Sequence, residues 1–254
     1  MPFSATLPKA TIWKDIISAM AEVLTEGAFL ADPTGLFSYG LSPDHTVFVH
    51  LHCSSDAFSD YSCDKQYMFG LNLDELKKVM RRAKARDQLR MGIDEQKNRY
   101  FVEFIRGGVR RFELAILDPV GLEQAKNLYE QKLSQKSFDC AVRLDAKLVV
   151  DALRDAKLVS ESVKFKVDEE GFTIEAHGAL GEYKTIIKKT DPAMLEFKVS
   201  KPVQACYSLE LLIDIVKSAK TDVLFEFSEN SPVKITYNVE AAALIFFVAP
   251  RVEE

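Results

Sequence analysis

Apolar residues along this chain follow two rhythms. Ile12, Ile16, Ile17, Met20 and Val23 recur at helical spacing between Ala10 and Leu24, which predicts a helix that Gly27 stops. Leu73, Leu76, Met80 and Ala83 predict a second helix over 73–86. Leu148, Val149, Ala152, Leu153 and Ala156 predict a third over 146–159, and the run from Leu209 to Ala219 a fourth. Elsewhere apolar and polar positions alternate, the period of a sheet covered on one face. In the first half this predicts strands at 3–7, 28–32, 36–39, 46–52, 88–91, 99–105 and 109–117, with turns at Pro33-Thr34-Gly35 and Gly107-Gly108. In the second half strands are predicted at 138–144, 162–167, 172–177, 184–188, 223–227, 233–239 and 244–248. Along Thr46–His52, Val47, Val49 and Leu51 share one face and Phe48, His50 and His52 the other. With no third ligand in view, the two histidines are expected on a solvated sheet face rather than at a metal.

The two halves repeat each other. Phe29, Asp32 and Gly35 return as Phe165, Asp168 and Gly171, each 136 residues further on. Leu73, Leu76, Val79, Met80, Arg81, Ala83 and Lys84 return at the same offset as Leu209, Leu212, Ile215, Val216, Lys217, Ala219 and Lys220. Ile12, Asp15, Ile17 and Val23 return as Leu148, Asp151, Leu153 and Val159. Three segments in one register argue for an internal duplication. The expected fold class is therefore α+β, built of antiparallel sheets, with two topologically similar domains at 1–117 and 138–254 and a connecting loop at 118–137. That loop carries Leu122, Ala125, Leu128, Tyr129 and Leu133 at near-helical spacing.

Composition narrows the class. The 254 residues are 47% apolar, enough to give each half its own core. No apolar run reaches the ~20 residues that span a bilayer, and the N-terminus lacks a secretory pattern, so an intracellular protein is expected. Cys53, Cys63, Cys140 and Cys206 show no CxxC spacing, so no metal or other cofactor is expected, although a Cys53–Cys63 bridge stays open. Catalytic motifs are missing: there is no phosphate-cradling loop, nucleophile elbow or HExxH, and none of the four histidines adjoins an evident nucleophile. A non-enzymatic protein without catalytic residues is expected.

Net charge is −5, yet the cations concentrate on the predicted helices. The second carries Lys77, Lys78, Arg81, Arg82, Lys84 and Arg86, and its counterpart Lys217 and Lys220. The third carries Lys147, Arg154 and Lys157, and the first Lys14. Most of the 38 acids lie on strands and loops. A basic helical face on an acidic body suits a polyanion met through its phosphates, with no base readout.

Several motifs together resemble the archaeal and eukaryotic sliding clamp, the proliferating cell nuclear antigen family. They are Leu41-Ser-Pro-Asp-His45-Thr-Val, Phe58-Ser-Asp-Tyr61-Ser-Cys63-Asp, Gly70-Leu-Asn-Leu73, Phe138-Asp-Cys140-Ala-Val, Gly178-Ala-Leu-Gly181 and the ending Phe246-Phe-Val-Ala-Pro250-Arg-Val-Glu-Glu254. The resemblance implies a trimeric ring, with helices lining the hole, sheets outside and duplex DNA held topologically. It places Lys14, Lys78, Arg81, Arg154 and Lys217 toward DNA; helix geometry adds Lys77, Arg82, Lys84, Lys157 and Lys220. It implies docking of short hydrophobic motifs from DNA polymerase, clamp loader, flap endonuclease and DNA ligase at Leu41, His45, Pro232, Val248, Ala249 and Pro250, under the connecting loop; that loop is longer here than in the eukaryotic pattern, and Leu122, Ala125, Leu128, Tyr129 and Leu133 are the candidates to cover the pocket, Leu128 foremost. Subunit contacts implied by the family involve Arg110, Arg111 and Phe112 on one edge and Tyr183 and Lys184 on the other. A homotrimer is expected, with a ring of paralogous chains as the alternative; no membrane is involved. Such a protein works in the cytoplasm or nucleoid of an archaeon, or in a eukaryotic nucleus.

Overall fold

The computed structural model describes residues 2–251, so the last three residues of the C-terminal motif, Val252 to Glu254, lie outside the described residues. The chain separates into two compact units. The first takes residues up to Pro43, Val49–Ser134 and Val239–Leu244; the second takes Asp44–Phe48, Gln135–Asn238 and the chain from Ile245 onward.

The first half contains β1 (Ser4–Leu7), α1 (Ala10–Met20), β2 (Glu26–Asp32), β3 (Gly35–Leu41), β4 (Val47–Ser54), β5 (Asp60–Ser62), β6 (Tyr67–Asn72), α2 (Leu73–Met80), β7 (Gln88–Asp94), β8 (Arg99–Ile105) and β9 (Val109–Ala115). A connecting helix α3 (Leu122–Leu128) runs into a π-helical turn over Tyr129–Leu133, in which Ser134 N–H donates to Tyr129 O at 2.8 Å. The second half contains β10 (Cys140–Asp145), α4 (Ala146–Lys157), β11 (Ser162–Val167), β12 (Gly171–Gly178), β13 (Gly181–Lys188), β14 (Met194–Val199), β15 (Val203–Ser208), α5 (Leu209–Val216), β16 (Asp222–Phe227), β17 (Val233–Val239) and β18 (Ala242–Val248).

The order of elements repeats, and so does the pairing. β1 lies antiparallel between β5 and β7, as β10 lies between β14 and β16. β2 pairs with β3 and β6, as β11 pairs with β12 and β15. The recurring Phe-Asp-Gly motif has a physical reason. Asp32 Oδ1 accepts from the N–H groups of Thr34 and Gly35 (2.7 and 3.2 Å), and Asp168 Oδ1 accepts from those of Glu170 and Gly171 (2.8 and 3.3 Å). Each glycine then lies against the backbone of the next strand, so that a Cβ would press on Cys53 O at Gly35 and on Ile187 O at Gly171. The phenylalanines at the motif's head anchor the cores. Phe29 stacks on Phe69 at 5.5 Å, and Phe165 meets Phe172 at 5.0 Å and Phe225 at 5.5 Å.

In each unit two helices pack against each other, α1 on α2 and α4 on α5, burying Ile12, Trp13, Ile16, Leu76 and Met80 in the first and Val149, Leu153, Leu212 and Val216 in the second. Asn72 and Asp145 cap α2 and α4, accepting from Glu75 and Leu148 N–H. Every helix is shorter than its apolar spacing predicts: α1 ends at Met20, α2 at Met80, α4 at Lys157 and α5 at Val216. At the end of α2, Ala83 N–H bonds back three residues to Met80 O, and Asp87 Oδ2 takes the next amide, Lys84 N–H, at 2.9 Å. The apolar spacing at Ala83 continues only because a turn also buries that side chain. Strands β5, β6, β14 and β15 lie beyond the strands expected from alternation.

All four cysteines are buried and none is in a disulfide, so Cys53 and Cys63 do not pair, and burial pushes the Cys53 and Cys140 thiols up to about 12. Among the described residues, no helix is long and apolar enough to cross a membrane, and no cluster of three or more His, Cys, Asp or Glu side chains could hold a metal.

The expectation of a solvated face for both histidines of β4 fails at His50. His52 is exposed, but His50 is only 5% exposed. It stacks on Tyr39 and on Tyr129 of the π-helical turn, each at 4.4 Å, and its Nδ1–H donates to Ser38 O at 3.1 Å. The connecting segment is therefore a folded helix seated on β3, with Leu122 and Ala125 buried and Tyr129 closing over the histidine. Burial lowers the His50 pKa from 6.5 to about 4. The unfolded chain takes up this proton near pH 6.5 and the folded chain only near pH 4. Stability is therefore lost as the pH falls through that window, by on the order of 2–3 kcal/mol. Denaturant unfolding between pH 7 and pH 4 measures the loss. His50→Gln should flatten the pH slope, and equal slopes in the two proteins would reject the assignment.

Candidate nucleic-acid interface and edge strands

The expected DNA-facing cations divide by their partners. Lys77 Nζ binds Glu22 at 2.7 Å with both side chains largely covered, Lys217 Nζ binds Asp214 at 2.7 Å, and Lys157 pairs with Glu161. Lys220 also has an interaction partner. Among the described residues, Lys14, Lys78, Arg81, Arg82, Lys84 and Arg154 have no carboxylate within 4.0 Å. Lys14 and Lys78 sit on the packed pair α1–α2, Arg81 caps the C-terminus of α2, and Arg154 lies in the last turn of α4. Cations at a helix C-terminus are favoured by the helix dipole.

The expectation that six cations share one helix is corrected. Only Lys77 and Lys78 are within α2; Arg81 is its cap, and Arg82, Lys84 and Arg86 occupy the turn before β7. Likewise Lys217 caps α5 and Lys220 lies beyond it. Short helices with basic exits replace long basic helices.

Strands β9 and β13 each end a sheet, leaving one backbone edge unpaired within the chain. Both arginines of β9 are engaged inside their own unit. Arg111 donates to Glu103 at 2.7 Å and Glu113 at 2.9 Å, and lies 4.3 Å over the Phe101 ring. Arg110 pairs with Asp87 and lies 5.1 Å over Phe104, while Phe112 meets Phe104 edge-on at 5.9 Å. On β13, Tyr183 is half-buried and Lys184 binds Glu175 at 2.9 Å. Hydrogen bonds from Lys97 and Arg111 hold the Glu113 carboxyl below its ordinary value.

The expected docking residues are divided between the units. In the first, Leu41 ends β3 and Leu128 ends α3, both half-buried. In the second, His45 is exposed at φ 60° in a turn where Asp44 Oδ2 accepts from Thr46 Oγ1 at 2.8 Å. Ala249 N–H donates to Thr46 O at 2.8 Å, which sets Ala249 beside that turn. Val248 is buried, and Pro232, Ala249 and Pro250 are half-buried. Asp87 and the Tyr129–His50 stack escaped the sequence reading. For Tyr129 a signal existed in the near-helical spacing of the loop, whereas Asp87 is one acid among many in a charged run.

Comparison with known proteins follows the same two-part plan. The proliferating cell nuclear antigen N-terminal domain matches residues 2–111 and the C-terminal domain matches residues 132–252. The DNA polymerase sliding clamp of Methanococcus vannielii is 30% identical over 246 residues, covering 95% of this chain and 96% of that protein. That of Thermofilum pendens is 31% identical over 250 residues, covering 97% and 98%. Among solved structures, PCNA from Thermococcus kodakaraensis superposes with a TM-score of 0.89 at 24% identity, over 98% of this chain and 100% of that one. The A. fulgidus PCNA bound to the C-terminal region of FEN-1 gives 0.88 at 20% identity, over 99% of both chains. Repeated topology, paired helices and end-to-end similarity agree: the chain belongs to the proliferating cell nuclear antigen family.

Proposed function

We propose that this chain is a subunit of a DNA sliding clamp, a non-enzymatic ring that encircles duplex DNA and holds polymerase to its template. In this reading 1–117 and 138–254 are the two clamp domains, and 118–137 connects them. The carrying observation is the recurrence, in both units, of a packed helix pair whose cations include members with no acidic partner among the described residues. Such groups offer phosphates weak, exchangeable contacts, which sliding requires. Lys14, Lys78, Arg81 and Arg154 carry most of this role, with Arg82 and Lys84 adjacent; Lys77, Lys157, Lys217 and Lys220 contribute only by exchanging an internal partner for a phosphate. Leu41, His45, Leu128, Pro232, Val248, Ala249 and Pro250 receive short hydrophobic motifs of replication and repair enzymes, a use supported by the FEN-1 segment seen on the A. fulgidus relative. An aromatic anchor buried there contributes ~1.5–3 kcal/mol, enough for reversible docking.

Subunits meet through β9 of one copy and β13 of the next, with Phe112 and Tyr183 as apolar contacts. Light scattering over a dilution series tests the assembly. A self-sufficient trimer gives about 86 kDa, three times 28.6 kDa. A mass near 28.6 kDa throughout would overturn it. One observation favours the second reading, a ring completed by paralogous chains. β9 carries Arg110, Arg111 and Glu113, and β13 carries Glu182, Lys184 and Lys188, so each edge has a net charge of +1. Like-charged edges oppose self-pairing and suit partners of opposite sign.

A further inference from the structure

Asp87 is 1% exposed and stands where three segments of the first unit converge. Its carbonyl oxygen accepts from Ala10 N–H at 2.7 Å, fixing the start of α1. Its Oδ2 accepts from Lys84 N–H at 2.9 Å, closing the basic turn that follows α2. The same oxygen binds the Arg110 guanidinium, which comes from the open edge strand β9. Arg110 also donates to Arg82 O at 3.3 Å, so it grips the turn at two points, one on each side of Lys84. The other carboxylate oxygen, Oδ1, is buried without a hydrogen-bond partner. Both partners of this buried carboxylate, the Lys84 N–H and the Arg110 guanidinium, therefore fall on one oxygen, and Arg110 is its cationic partner.

We propose that Asp87 is a positioning residue: with Arg110 it locks the Arg82–Lys84 turn to the β9 edge, so that the phosphate-facing cations and the assembly edge move as one body. This deepens the sliding-clamp reading and rests on it for the roles of the turn and the edge. Two features support it. The pair joins elements distant in sequence, and its only exposed member, Arg110, has 41% of its side chain in solvent on the strand that another subunit would cover. Covering that edge would remove water from the ion pair and strengthen it. A change at the edge thereby reaches Lys84 through one carboxylate. Arg110 accordingly serves the edge from inside its own subunit, as the means by which the edge holds the turn.

Backbone hydrogen exchange on the full chain tests this at two protein concentrations, one assembled and one dilute. In the wild type, assembly should slow exchange of the Lys84 amide by about tenfold. Asp87→Asn and Arg110→Met should each speed that exchange and abolish its dependence on assembly. The double variant should exchange no faster than the faster single one. Arg110→Lys, which keeps the charge but not the second contact to Arg82, should restore part of the slowing. Additive effects of the two substitutions would overturn the proposal, as would an unchanged Lys84 amide in a variant that merely melts earlier. If Asp87→Asn does not fold, Arg110→Met and Arg110→Lys carry the comparison alone. In that case, a Lys84 amide that remains slow in Arg110→Met overturns the proposal. If the wild type never assembles alone, the self-sufficient trimer fails by its own mass measurement, the ring completed by paralogous chains stands, and the additive or non-additive cycle on Lys84 still decides the lock.

Discussion

Reversing three cations, Lys78→Glu, Arg81→Glu and Arg154→Glu, is expected to weaken association with a short linear duplex about a hundredfold or more at low salt. None of the three has an acidic partner among the described residues, and all are exposed, so no internal ion pair is broken. Each phosphate contact contributes ~0.9 to the slope of log affinity against log salt, so three lost contacts should flatten that slope by about 3. Reversing Lys65, Lys132 and Lys189 instead makes the same net-charge change away from the helix pairs and should leave the slope nearly unchanged. Retention on a closed circle separates contact from topology. A ring already loaded should stay on the circle despite the three reversals, because escape requires opening rather than desorption. Equal loss of linear binding in the two triple variants would remove the helix pairs from the interface.

Gly35→Ala and Gly171→Ala are expected to cost about 3–4 kcal/mol each, near the upper end for single substitutions. At Gly35 the new methyl group would also lie 3.0 Å from Ser54 Cα, and at Gly171 it would lie 2.9 Å from Lys188 Cα. These neighbours are backbone atoms in paired strands, so no rotamer change relieves the overlap. The equivalence is itself informative. If the halves repeat one structural solution, the two variants should lower the denaturation midpoint by similar amounts, each through its own unit. A tolerated alanine at either glycine would mean that the strands can separate locally and that the Phe-Asp-Gly motif is fixed by its turn alone.

Much of this was legible in the chain. The 136-residue offset of Phe29, Asp32 and Gly35 revealed the repeat because Asp and Gly there meet demands that few other residues can. Helix starts were legible too, since Asn72 and Asp145 act locally. Helix ends were not: at α2 the chain leaves the helix through a local turn that Asp87 closes on the Lys84 N–H, and apolar periodicity carries no sign of that side-chain bond. The burial of His50 was illegible for a similar reason. Alternation says which face a residue is on, but not that Tyr129, 79 residues later, will cover that face. Charge placement was legible as composition, while the division into paired and unpartnered cations needed the positions of Glu22, Glu161 and Asp214.

The place of β1 between β5 and β7 bears on how the chain is made. Ala5 pairs with Tyr61 on one side and Met91 on the other, so β1 has no complete sheet to join until some ninety residues have followed it. β10 repeats the situation, with Cys140 waiting for Val199 and Phe227. Such long loop closures favour slow, late condensation over local nucleation. During synthesis two topologically matched sets of waiting strands then coexist on one polypeptide, the circumstance in which repeats exchange partners. They coexist only if β10 emerges before β1 has paired with β5 and β7; closure of that sheet first would keep the two sets apart in time.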